Sequence, residues 1–85
     1  MASYSVVIKR SAAKELESIP KKDREKLVMK IRKLAEDPRP PGSEKLAGDD
    51  KYRIRHGVYR VLYEIDDTAI VVVVVRVAHR REAYR

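Results

Sequence analysis

Cysteine is absent from the 85 residues, which excludes a disulfide framework and thiolate metal sites and leaves a small chain to rely on packing or on a bound partner. Histidine is scarce. His56 and His79 are the two present; they stand far apart and outside any H-x-x-x-H spacing, so no metal-ligand set can be built. Long apolar runs are missing too: the longest, residues 69–75, is seven residues against the roughly 18 that cross a bilayer. The first ten residues carry their charges after the apolar stretch, the reverse of a secretory leader, and a cytoplasmic location is the expectation. At this length about 60% of the unfolded surface can be buried around one core. Residues 1–85 are therefore expected to be a single domain, with no room for a cofactor domain and no small-molecule cofactor.

What is abundant is charge. Apolar residues make up 44% of the chain and charged residues 39%, with 20 lysines and arginines against 13 acids and a net charge of +7. That is enough apolar material for a core, and the excess of positive charge selects polyanions or an acidic protein as partners.

The chain opens on a β-branched stretch, Tyr4 to Lys9, read as a strand, with a helix cap expected at Ser11. Ala12, Leu16 and Ile19 then follow a helical stripe that Pro20 interrupts, and Leu27, Val28, Ile31, Leu34 and Ala35 form a second stripe that Asp37-Pro38 stops. Residues 39–43, with two prolines and a glycine, read as a surface loop. Strand patterns follow at 52–55, 58–65 and 70–77. The order β-α-α-β-β-β predicts an α+β fold: a mainly antiparallel sheet with a two-helix hairpin packed on one face.

Parity sorts the side chains, because successive strand residues point to opposite faces. With His56-Gly57 as a two-residue hairpin loop, Arg55 opposes Val58 and Arg53 opposes Arg60. Tyr52, Ile54, Tyr59, Val61, Tyr63 and Ile65 then face the helices, while Arg53, Arg55 and Arg60 share the other face. A three-residue loop at 66–68 would pair Arg60 with Val74 and Val58 with Arg76, adding Arg76 to that face. Like charges so gathered repel, which makes the cluster an anion site; its bland counterpart is a solvated face with arginine stems lying over apolar surface. The run 70–75 reads as a central strand, so the tail that follows it, with His79 and Tyr84, is expected to emerge beside the arginines.

The segments 11–16, 45–48, 52–61 (Tyr-Arg-Ile-Arg-His-Gly-Val-Tyr-Arg-Val) and 79–84 (His-Arg-Arg-Glu-Ala-Tyr) together resemble the RelE/ParE toxin superfamily over nearly the whole chain. The resemblance implies a toxin of a type II toxin-antitoxin pair. In its RelE branch such toxins cut messenger RNA in the ribosomal decoding site and are held inactive by a RelB-like acidic antitoxin. By position it places the family's functional residues on Arg53, Arg55, Arg60, Arg80 and Tyr84. Arg76, placed by parity, and Arg81, in the basic tail, are further candidate RNA-binding residues. Well-known ribosome-dependent members carry lysine where Arg53 and Arg55 stand; arginine keeps its proton, so a general base at those positions is left open.

Metal-independent cleavage needs the ribose 2′-OH to lose a proton and attack the adjacent phosphorus while the 5′-oxygen leaves and is protonated. Arg53, Arg55, Arg60 and Arg80 suit the charge that accumulates on the phosphate. Histidine titrates near neutrality, which makes His79 the candidate for proton transfer, with Tyr84 as a stacking or proton-transfer group. Two other readings stay open: a ParE-like inhibitor of DNA gyrase, and a basic RNA-binding module without chemistry.

Overall fold

A computed structural model describes residues 3–46 and 51–79. Its elements are β1 (Ser5–Ile8), α1 (Arg10–Glu17), α2 (Lys21–Lys33), β2 (Glu44–Lys45), β3 (Lys51–His56), β4 (Tyr59–Asp66) and β5 (Val71–His79). The strands form one mixed sheet in the order β1-β5-β4-β3-β2, antiparallel except where β1 runs beside β5. The α+β order read from the sequence is present. It gains β2, a two-residue edge strand of charged residues with no apolar alternation to announce it.

Each helix is short and amphipathic for identifiable reasons. Ala12 and Leu16 turn inward from α1, which starts one residue before the expected cap: Lys9 holds the N-cap position without a side-chain hydrogen bond, and Ser11 lies inside the helix. Pro20 stands at the N-cap of α2, where its missing N–H breaks no intrahelical bond. Leu27, Ile31 and Leu34 are fully buried from α2. Past Lys33 the backbone tightens into i→i−3 bonds, Leu34 to Ile31, Ala35 to Arg32 and Glu36 to Lys33, each 3.1 Å, and the chain leaves the helix before Pro38.

These helical residues meet Tyr52, Ile54, Val61, Tyr63, Ile65, Val72, Val74 and Val77 in one core on one side of the sheet. Tyr63 is its largest fully buried side chain. Its ring stacks on Tyr52 at 5.9 Å and its hydroxyl donates to the Pro38 carbonyl at 2.7 Å, so the loop after α2 is tied to the centre of the sheet. Burial pushes the Tyr63 phenol up to about 12.

Both hairpins depart from the expected register. The first loop is Gly57-Val58, with His56 opposite Tyr59, Arg55 opposite Arg60 and Arg53 opposite Leu62. Gly57 has φ +58, and Ile70 is the one non-glycine with positive φ among the described residues. A glycine at the first loop position alone meets the demand of a type II′ turn rather than type I′. The slip moves each partner by two residues, so no side chain changes face. In the second hairpin β4 runs to Asp66 and β5 starts at Val71, with Arg60 opposite Ala78 and Leu62 opposite Arg76. The loop is longer than expected because Ile70, at φ +57, belongs to the turn. A break in register between Leu62 and Tyr63 leaves Val75 as an extra residue. That bulge puts Val72, Val74 and Val77 all on the core side, which strict alternation forbids.

Candidate nucleic-acid interface

The sheet face away from the helices carries Lys51, Arg53 and Arg55 from β3, Arg60 and Leu62 from β4, and Arg76 from β5, with Glu64 of β4 opposite Lys51, as the cross-strand pairs dictate. Parity alone places the first five. Arg76 joins them because of the bulge: without the extra Val75, a strand that buries Val74 would bury residue 76 as well.

The arginines differ in surroundings. Arg60 takes the open-face position expected of it, between Arg55 and the small, buried Ala78, and is nonetheless buried there, 6% exposed. Arg53 donates from Nη2 to Glu44 Oε2 at 2.7 Å, and Arg55 Nη2 stands 3.5 Å from Glu44 Oε1. Arg76 Nε is 3.5 Å from Glu15 Oε2, while Oε1 of the same carboxylate accepts the Val77 N–H at 2.8 Å. Glu15 therefore fastens α1 to the part of β5 that runs past the end of β1. Beside Arg76 the face dips into a shallow concavity of about 300 Å³ lined by Lys9, Lys51 and Glu64 together with Leu46, Leu62 and Val75.

His79 lies elsewhere. It opposes Tyr59 and meets that ring edge-on at 5.9 Å, on the helix side of the sheet and near Ser18 and Ile19 of the α1 end. The same bulge is responsible, since it sets residues 77 and 79 on the core side. Arg80, Arg81 and Tyr84 lie outside the described residues. Among the described residues no three histidines, cysteines or carboxylates are grouped to hold a metal ion, and no helix is long and apolar enough to cross a membrane.

Sequence reasoning missed Lys51, Lys9, Glu44 and Glu15. Lys51 was recoverable, being two residues before Arg53 and so on the same face. The other three reach the site by tertiary packing and leave no local signal.

This arrangement can hold a chain of phosphates across β3, β4 and β5, with forked donors that stay charged at any physiological pH. Residues 6–84 match the family model described as "ParE toxin of type II toxin-antitoxin system, parDE". Toxin RelG of Mycobacterium tuberculosis is 47% identical over 45 residues, a match spanning 53% of this chain and 49% of that relative. Of solved structures, the archaeal RelE-RelB complex from Pyrococcus horikoshii superposes with a TM-score of 0.84 at 30% identity, over 94% of this chain and 98% of that one. The isolated Escherichia coli RelE toxin gives 0.81 at 29%, over 96% and 92%. With a family match that runs through both helices and every strand of the sheet, the chain belongs to the RelE/ParE superfamily of toxins from type II toxin-antitoxin systems.

Proposed function

We propose that this toxin is a metal-independent endoribonuclease of the RelE type, cutting messenger RNA on the ribosome and so stopping translation. The observation that carries the reading is the gathering of Arg53, Arg55, Arg60 and Arg76 onto one sheet face. Like charges in that density are tolerable where an anion is the intended ligand. Arg53, Arg55 and Arg60, with Arg80, hold the scissile phosphate and the charge that grows on it as the P–O2′ bond forms and the P–O5′ bond breaks. Arg76 and Arg81 bind flanking phosphates. Proton transfer falls to Tyr84, which also stacks on a base; His79 faces Tyr59 on the helix side of the sheet, away from the arginines, and takes no part. With arginines that stabilise charge but do not exchange protons, the protein depends on the ribosome to orient the 2′-OH. The partner that silences it is an acidic antitoxin, a reading supported by the RelE-RelB complexes among its structural relatives and by the net charge of +7.

A second reading, inhibition of DNA gyrase, is favoured by the ParE description of the matching family. It gives the arginine face no phosphate to bind, and it is the weaker for that. Primer extension on messages in a reconstituted translation reaction separates the two. Discrete new 5′ ends in translated message, absent without ribosomes, support the proposal. Arrested growth with intact message and accumulated gyrase-DNA cleavage complexes would establish the second reading instead.

A further inference from the structure

Glu44 stands at the β2 edge of the arginine face without belonging to its charge. It opposes Arg53 directly across β2 and β3, and its two carboxylate oxygens divide between the two guanidinium groups, Oε2 to Arg53 at 2.7 Å and Oε1 to Arg55 at 3.5 Å. A planar anion spanning two forked donors in this way has the geometry of two non-bridging phosphate oxygens. Arg53 is nearly enclosed, its side chain 14% exposed, whereas Glu44 is 52% exposed. Arg53 Nε is buried and makes no hydrogen bond among the described residues, so this guanidinium has donor capacity that Glu44 does not use. Glu44 itself hangs on the shortest element of the sheet, an edge strand held to β3 by two residue pairs, and its half-exposed carboxylate is the member of the pair that water or another anion can replace.

We infer that Glu44 is a built-in surrogate for a backbone phosphate of the RNA: it seats Arg53 and Arg55 in the resting toxin and must be displaced by the message. This rests on the reading of the face as a phosphate site. Its consequence is that the resting protein holds single-stranded polyanions more weakly than its arginines allow, which reserves tight binding for RNA presented in the right geometry. Glu44 is thus a positioning and gating residue; it takes no part in bond breaking.

The test is binding, not cleavage, measured by fluorescence anisotropy with a 2′-O-methyl oligoribonucleotide that cannot be cut. Glu44→Gln keeps the shape and removes the charge. It should bind about three- to ten-fold more tightly than wild type, with a salt dependence steeper by about 0.7 in log–log slope, the increment for one more phosphate neutralised on a single strand. Glu25→Gln removes the same charge from an exposed position of α2 and should change the affinity by less than about two-fold at moderate salt. In the wild-type protein the Glu44 carboxyl carbon resonance should move as the oligonucleotide saturates, a readout that needs no variant to fold. If Arg53→Ala weakens binding but Glu44→Gln does not strengthen it, or the Glu44 resonance stays still at saturation, the phosphate face stands and the surrogate is refuted. If Arg53→Ala and Arg55→Ala bind as wild type does, the face is not a phosphate site and the inference falls with it.

Discussion

At one end of the sheet, Arg39 donates two hydrogen bonds to Asp67, at 2.9 and 3.3 Å, and a third from Nε to the Tyr52 hydroxyl. Its guanidinium also lies 5.1 Å over the Tyr52 ring, and Tyr4 donates to the same Asp67 at 2.7 Å. On the open face a single carboxylate, Glu44, serves both Arg53 and Arg55. The same side chain therefore does two jobs in one small protein, and the ratio of nearby carboxylates to guanidiniums tells them apart. Where a whole carboxylate, itself held by Tyr4, and the Tyr52 phenol converge on one arginine, the arginine is a fastener between loop and sheet. Where two guanidiniums, Arg53 and Arg55, share one carboxylate, charge is left over for a ligand.

The sharpest way to break this contrast is to remove the arginines proposed to hold phosphate, one at a time, and then the fastener. Arg60→Ala and Arg80→Ala should each abolish growth inhibition, and Arg53→Ala should lower message cleavage about a hundred-fold, the scale of losing one donor to a developing oxyanion. Circular dichroism should show all three folded. Arg39→Ala should do the opposite, leaving growth inhibition in place while lowering the melting temperature slightly; loss of toxicity there would erase the distinction between fastener and site.

Tyr63→Phe sharpens the structural side. It removes the buried hydroxyl from the Pro38 carbonyl and should cost about 1 kcal/mol in a denaturant titration, with cleavage unchanged. A smaller effect of opposite sign is expected at Ile70. Its φ of +57 is unfavourable for a β-branched residue, and Ile70→Asn should raise stability by about 0.5 kcal/mol. An unchanged or lower denaturation midpoint would show that the turn carries no such strain.

The smallest effect is a pH dependence at the fastener. Arg39 and then Tyr4 hold the Asp67 carboxyl below its ordinary value of 3.8. A depressed folded value means that its contribution is present above 3.8 and is lost as pH falls through the lower folded value. Asp67→Asn should therefore melt slightly below wild type at neutral pH, and the two should converge in acid. A gap that stays constant down to pH 2 would mean that charge on Asp67 is not what fastens Arg39.

How much of this was legible in the sequence depends on which errors parity forgives. Reading the first loop as His56-Gly57 instead of Gly57-Val58 shifted every pair by two residues, yet Arg53, Arg55 and Arg60 kept their face, because strand side chains repeat with period two. The second hairpin was less forgiving. Val74 was expected opposite Arg60 and lies in the core opposite Tyr63, while Arg76 reached the arginine face through a bulge that a run of five valines cannot signal. Residue composition also says nothing about the burial of Arg60, which is deeper than that of Leu62 and Glu64 on the same strand and face. Glu44 was invisible for a different reason: its role exists only after a two-residue strand pairs with β3.

Which arginines meet RNA separates the phosphate face from the fastener. The direct measurement is an NMR titration of the labelled protein with the uncleavable 2′-O-methyl oligoribonucleotide, following arginine Nε–H resonances. Arg53, Arg55, Arg60 and Arg76 should shift together and saturate at one stoichiometry, with Arg39 unmoved. Shifts at Arg39, or saturation without movement of the four on the open face, would mean that the open face is not where RNA binds.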